Sequence, residues 1–166
     1  MPVRHEYRLI LAEATGLAGL LVPAGVCVRG VSPADTHHLA DLMLDAYRNT
    51  LDYEGEGLAE AVAEVESYFS RASLNPAISP YSLALDFGDS IASACLLEFW
   101  QSRGVPLVAF VICRSAHKRK GFGKFALHQT ICKLRQAGYS ELRALITEGN
   151  SPSETLFTHV GFRRVD

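Results

Sequence analysis

The segment Arg114–Lys124 reads RSAHKRKGFGK and lies between an apolar run that ends at Cys113 and an amphipathic stretch that opens near Gly121. That is strand, turn, helix, with glycines at i and i+2 in the turn. Gly121 and Gly123 let the backbone bend tightly while several amide N–H groups point to one place. The same place is the positive end of a helix. Arg114, Lys118, Arg119, Lys120 and Lys124 add cationic side chains. A diphosphate held without metal is the natural occupant, and a solvated basic loop is the plainer alternative. The P-loop pattern fails, because Phe125 follows Lys124 and Lys118 stands where its first glycine is needed. The dinucleotide pattern G-x-G-x-x-A matches Gly121, Gly123 and Ala126. A Rossmann turn follows its strand directly, however, whereas polar residues intervene here.

A chain of 166 residues suits one domain, 1–166, and buries roughly two-thirds of its unfolded surface. Residues 1–24 read as an N-terminal strand extension of that domain. The formal charge is −2, so no global field points to nucleic acid or to an anionic membrane. The distribution says more. Between Thr50 and Ser70 the only charges are acidic, from Asp52 to Glu66, whereas those from Arg114 to Lys124 are all basic. Cys27, Cys95, Cys113 and Cys132 stand singly, without a CxxC pair. This fits a reducing cytoplasm and gives no reason to expect a metal. GLAGLLVPAGVC (16–27) has some look of a secretion signal, but Glu13 and Pro23 interrupt the pattern. No window approaches the ~20 apolar residues of a membrane span.

VRHEYRLILA (3–12) and GVCVRGV (25–31) read as strands. Ser32-Pro33-Ala34-Asp35 then caps a helix whose buried face carries Leu39, Leu42, Met43, Ala46 and Tyr47. A second helix puts Leu58, Val62, Val65 and Phe69 on one stripe. Three strands follow at hairpin spacing: 81–86, 91–100 and 105–113. The last is apolar on both faces, as a central strand should be. A helix over 121–137 stops at Gly138, 141–147 is a buried strand, and Ser151-Pro152-Ser153-Glu154 caps a final helix ending at Gly161. The fold class is α/β, with about four helices around a mixed, mostly antiparallel sheet.

With this order in place, the sequence resembles the GNAT superfamily of N-acetyltransferases. The family's first signature is Arg or Gln, two residues, Gly, one residue, Gly or Ala. Here it reads Lys118-Arg119-Lys120-Gly121-Phe122-Gly123, with lysine in first place. The second is an Asn, a short helix with a central aromatic, then Gly-Phe. Here it is Asn150, Phe157 and Gly161-Phe162. The order of elements matches over 25–166 and the motifs over 107–162.

The resemblance implies acetyl-CoA as cofactor, bound where the family's fourth and fifth strands (105–113 and 141–147 here) splay apart. Backbone groups of Val111, Ile112 and Cys113 would pair with its pantetheine arm. Residues 119–124 (Arg119, Lys120, Gly121, Phe122, Gly123 and Lys124) would hold its pyrophosphate, and Lys118 beside them would also bind the cofactor. Asn150 and Phe157 would line the same site, with a helix N-cap as the second reading of Asn150. An N–H of the splayed strand, that of Cys113, would polarise the thioester carbonyl. Glu148 and Glu98 are the candidate bases for a primary amine of a small molecule or a protein, with Asn150 beside them. The tyrosine that often protonates the departing thiolate is Phe157 here, leaving Thr147, Ser153, Thr158 and Tyr81 as unranked substitutes. Cys113 reads as packing, not as a nucleophile. Asp52, Glu54 and Glu56, with Tyr53 between them, would draw a cationic acceptor or simply be a solvated helix start. Without the tyrosine, a non-catalytic acyl-CoA-binding module is the rival reading.

The family's sheet continues after Gly-Phe, but only a few residues follow here. The 141–147 strand therefore lacks a neighbour on one side. Residues 3–12 are expected to cross over and fill that vacancy, in the same subunit or in a homodimer partner.

Overall fold

The computed structural model describes residues 1–18 and 20–165. Gly19, inside the expected 1–24 extension, and Asp166 lie outside the described residues. The strands are β1 (Arg4–Ile10), β2 (Val26–Gly30), β3 (Leu83–Phe87), β4 (Ser90–Trp100), β5 (Val105–Cys113), β6 (Glu141–Thr147) and β7 (Arg163–Val165). The helices are α1 (Thr36–Tyr47), α2 (Leu58–Ala72), α3 (Phe122–Gln136) and α4 (Ser151–His159). All strands join one sheet in the order β2-β3-β4-β5-β6-β1-β7. Every described pairing is antiparallel except β5 with β6, which α3 connects. A doubly wound parallel sheet is therefore excluded, and with it the dinucleotide reading of Gly121 and Gly123. Among the described residues no helix is long and apolar enough to cross a membrane.

Helices cover both faces of the sheet. Leu39, Leu42 and Met43 of α1 and Ala61, Val65 and Tyr68 of α2 pack with Ala94, Leu96 and Ile112 on one side. Phe125, Leu127, Ile131 and Leu134 of α3, with Phe157 of α4 and Leu9 of β1, close the other. β4 sits mid-sheet and is buried continuously from Ile91 to Leu97, the signature of a strand covered on both faces. The α1 start is as expected, with Ser32 and Asp35 forming a capping box, although its first turn is 3₁₀ and the α-helix proper begins at Thr36.

β1 pairs with β6 over seven residues, from Arg4 opposite Thr147 to Ile10 opposite Glu141. The strand is contributed in cis. Its inward side chains, Tyr7 and Leu9, are buried, and β7 pairs on its outer edge. The vacancy beside β6 is thus filled by β1, and the short FRRV tail becomes an edge strand beyond it.

A register shift between β4 and β5 matters for the site. Leu96 lies opposite Phe110 but Leu97 lies opposite Val108, so Ala109 is an extra residue on β5. Such a bulge bends its strand and raises its twist. Directly beyond it β5 leaves β6: their described pairing is confined to Leu107–Arg143 and Val108–Ala144. A buried network backs the bulge. Ser82 Oγ accepts the Leu97 N–H at 2.8 Å and the Tyr68 hydroxyl donates to the Leu97 carbonyl at 2.9 Å. Burial pushes the Tyr68 phenol up to about 12, so it stays a donor.

Candidate active site

The divergence of β5 and β6 opens a cleft of about 530 Å³ through the sheet. One wall is Phe110 and Val111 of β5, and the facing wall is Ala144 to Thr147 of β6. Phe157 and Ser153 of α4 and Asn150 also line it. So do Tyr47, Asp52, Glu56, Glu64 and Glu98, with Arg4 from the N-terminal strand.

Strand alternation decides which backbone groups reach the gap. The Arg114 N–H donates to the Ala92 carbonyl on β4, and the Ile112 carbonyl accepts the Ser93 hydroxyl. Residues at this parity face β4, so the N–H and C=O of Val111 and Cys113 face the gap. This corrects one sequence expectation. Ile112 does not line the gap, because its backbone serves β4 and its side chain is buried under α1 and α2. Cys113 is partly buried, and burial pushes its thiol up, against a weaker opposing hydrogen bond from Gly123. A raised thiol is a poor nucleophile at neutral pH.

The basic loop leads from β5 into α3. Gly121 is the α3 N-cap at φ +82°, with Arg119 also left-handed at φ 64°. A left-handed residue is costly with a Cβ, which is why glycine stands there. Gly123 nestles against β5: a Cβ there would lie 3.8 Å from Val111 and Cys113 side chains. The amino end of α3 therefore abuts the mouth of the gap, and the start of a helix is the end that favours an anion. Phe122 is buried and stacks on His117 at 4.8 Å, leaving only its backbone for a ligand. Lys118 is partly spent: its Nζ donates to the Ala46 carbonyl at 2.7 Å, near the carboxyl end of α1. Lys124 Nζ lies 2.8 Å from His159 Nε2. Arg119 and Lys120 are exposed on the loop. Asp45 of α1 grips the other end, accepting the Ser115 N–H at 2.6 Å and its hydroxyl at 3.0 Å.

Asn150 is the α4 helix cap of its second reading. Its Oδ1 accepts the Ser153 N–H as the α4 cap, and its Nδ2 donates to Asp52 Oδ2 at 2.9 Å. One amide hydrogen remains for anything else. Thr147 Oγ1 donates to Asp52 Oδ1 at 2.7 Å. Asp52, which sequence reasoning singled out only as one of several acids, is therefore fastened across the cleft.

Of the proposed bases, Glu98 lines the cleft and accepts Arg71 Nε at 2.9 Å. Glu148 does not line it. β6 ends at Thr147, and the Glu148 side chain is 65% exposed, with His5 at 3.9 Å. Tyr47 was expected only as core, yet it lines the cleft. Burial, reinforced by the Asp52 charge, raises its phenol well above the ordinary range, so it is neutral. Arg4 carried no sequence signal, because only the placement of β1 brings it here. Among the described residues no group of three or more His, Cys, Asp or Glu could hold a metal.

Residues 96–166 match the family model described as FR47-like protein. Among curated proteins none matches the chain in sequence. Its fold is shared with many solved structures. A GCN5-related N-acetyltransferase of Sphaerobacter thermophilus superposes with TM-score 0.70 at 16% identity, over 99% of this chain and 50% of that one. The chain thus spans half the length of that protein. The paiA N-acetyltransferase of Thermoplasma acidophilum, solved with coenzyme A, gives 0.68 at 15% identity, over 83% and 89% of the two chains. For yncA of Salmonella typhimurium, solved with acetyl-CoA, the values are 0.65 and 19%, over 84% and 80%. The FR47-like match covers residues 96–166, and the mixed sheet splayed between β5 and β6 gives this chain the fold of these solved N-acetyltransferase structures.

Proposed function

We propose that this protein is an N-acetyltransferase that moves an acetyl group from acetyl-CoA to a primary amine. The observation that carries the reading is the gap itself: a strand edge with the Val111 and Cys113 backbone groups directed into it, ending at the glycine-turned amino end of α3. The residues present fit the cofactor. An extended amide-bearing arm can pair with that edge, and a diphosphate can sit on the N–H groups of residues 121–124 beside Arg119 and Lys120. Acetyl-CoA supplies an activated thioester when bound. The chain's own part is to hold and orient. The Cys113 N–H is aimed to polarise the carbonyl oxygen, a contribution that strengthens as charge builds there.

The acceptor enters from the side of α1 and α2, where Glu56, Glu64 and Glu98 line the cleft. These carboxylates favour a cationic amine, and Glu98 takes up its proton through water. Acceptors are small amines or exposed lysine and N-terminal amines. The free thiols of the described cysteines fit a reducing compartment, and the reading places the enzyme in the cytoplasm. Phe157, standing where a tyrosine is usual, supports a second reading: a module that binds acyl-CoA without catalysis.

Isothermal titration with acetyl-CoA, CoA and NAD tests the cofactor. Binding of both CoA species, absent with NAD and lost in Gly121→Asp, supports the assignment, whereas no CoA binding refutes it. Release of CoA thiol in the presence of any amine excludes the non-catalytic reading.

A further inference from the structure

The connection from α1 to α2 crosses the mouth of the cleft, and one residue in it is far better fixed than its neighbours. Both Asp52 carboxylate oxygens accept a hydrogen bond, from Thr147 at 2.7 Å and from Asn150 at 2.9 Å. The donors are the last residue of β6 and the N-cap of α4, both on the opposite wall. Leu51 lies close to Gly149 on that wall, where an added Cβ would come within 3.7 Å of Leu51 Cδ1. The connection is braced on its own side as well: Thr50 Oγ1 donates to the Tyr47 carbonyl at 2.7 Å. By contrast Glu54, two residues on, is exposed and bonds only within the connection, its N–H to Glu56 Oε2. Asp52 is not one more member of an acidic surface. It is a carboxylate held where the cofactor half of the cleft meets the acceptor half.

A carboxylate oxygen has capacity for about two hydrogen bonds, so each Asp52 oxygen keeps a free lone pair after these contacts. We infer that Asp52 receives the attacking amine, accepting its N–H hydrogen bond and stabilising the positive charge its nitrogen gains on attack, with Thr147 and Asn150 as positioning residues. This rests on the acetyl-transfer reading above. The charge argument sets the role. A neutral amine nitrogen gains positive charge only as its lone pair forms the bond to the acetyl carbon. A fixed carboxylate therefore favours the transition state over the bound amine. As the carbon–nitrogen bond forms, the carbon–sulfur bond breaks and the sulfur leaves with the electron pair. The nitrogen then gives up its extra proton to the thiolate through solvent, and the products are an amide and the CoA thiol. Asp52 ends the cycle unchanged. Tyr47, kept neutral beside it, adds no competing charge.

The test uses the full chain with acetyl-CoA and three probe amines: n-butylamine, putrescine and an acetylated lysine amide. Thiol release gives kcat and KM, and calorimetry gives the Kd for acetyl-CoA. Asp52→Asn keeps the shape but removes the charge: its oxygen still accepts from Asn150, and its NH2 donates to a reversed Thr147 hydroxyl. It should lower kcat/KM for the amine about 100-fold, with Kd for acetyl-CoA within about twofold. Asp52→Glu should recover part of the loss. Asn150→Ser preserves a helix cap while losing the bond to Asp52, and Thr147→Val loses the other. Each should lower kcat about tenfold, and neither should lower it further in the Asp52→Asn background. Turnover by Asp52→Asn within about threefold of wild type overturns the inference. So does a wild-type protein that binds acetyl-CoA but acetylates none of the three probes. If acetyl-CoA itself does not bind, the transfer reading fails first and this inference falls with it.

Discussion

Leu9→Ala measures how much the N-terminal strand holds the cleft together. Leu9 is fully buried, 0% exposed, in the core formed with Phe157, Val160 and Phe162. It also sits against Gly161, where a Cβ would come within 3.2 Å of Leu9 Cδ1. Leucine truncation at a closed site costs about 2–5 kcal/mol, with the upper part of that range where the surroundings cannot collapse. Here the backbone on both sides is fixed by sheet pairing, β6 on one edge and β7 on the other. Collapse is therefore limited, and the expected loss is about 3.5 kcal/mol. For a chain of this size each kcal/mol moves the midpoint by about 2–4 °C, giving a fall of roughly 7–14 °C. Arg8→Ala is the control on the same strand. It removes an ion pair to Glu141 at 2.9 Å whose arginine is 47% exposed, worth less than about 1 kcal/mol. Urea unfolding at neutral pH reads both. A Leu9→Ala loss below about 1 kcal/mol would mean that β1 is not packed into the sheet, and that the wall behind β6 has another origin.

Three further outcomes follow from the site. Gly121→Ala meets no side chain, since nothing lies within 4 Å of its Cβ, but the φ of +82° strains any L residue. Urea titration should show about 1–2 kcal/mol lost, and unaltered stability would contradict the left-handed cap. For Asp45, burial alone would raise the carboxyl, but the Ser115 N–H and hydroxyl, with Arg114 and Lys118 nearby, hold it below its ordinary value. A lowered folded-state value stabilises above about pH 4 and is lost as the pH falls through it. The stability gap between wild type and Asp45→Asn should therefore shrink from pH 7 to pH 3, and a constant gap would refute the linkage. Cys113→Ala should retain turnover, and native Cys113 should alkylate more slowly than a free thiol at pH 7, because burial raises it. Abolished turnover at unchanged acetyl-CoA affinity would restore it as a nucleophile.

Local chemistry made much of this protein legible in its sequence. Ser32 with Asp35, Gly121 and Gly138 mark element ends because capping and left-handed φ depend on a few adjacent residues. The strand–glycine loop–helix unit could be placed for the same reason: its turn is made by backbone that the loop itself bends. The vacancy beside 141–147 could be noticed by counting strands. What could not be read was anything set by contacts between distant segments. Ala109 looks like any residue of an apolar strand, and only its register against Leu96 and Leu97 makes it the bulge that parts β5 from β6. Ile112 could not be told from Val111 and Cys113 until pairing with β4 fixed which backbone groups face the gap. Glu148 and Glu98 were equal candidates until one pointed to solvent and the other into the cleft. Asp52 is separated by nearly a hundred residues from Thr147 and Asn150. Hydrophobic periodicity and capping are short-range and survive in one dimension, whereas a hydrogen bond across a cleft exists only once the sheet has brought its two walls together.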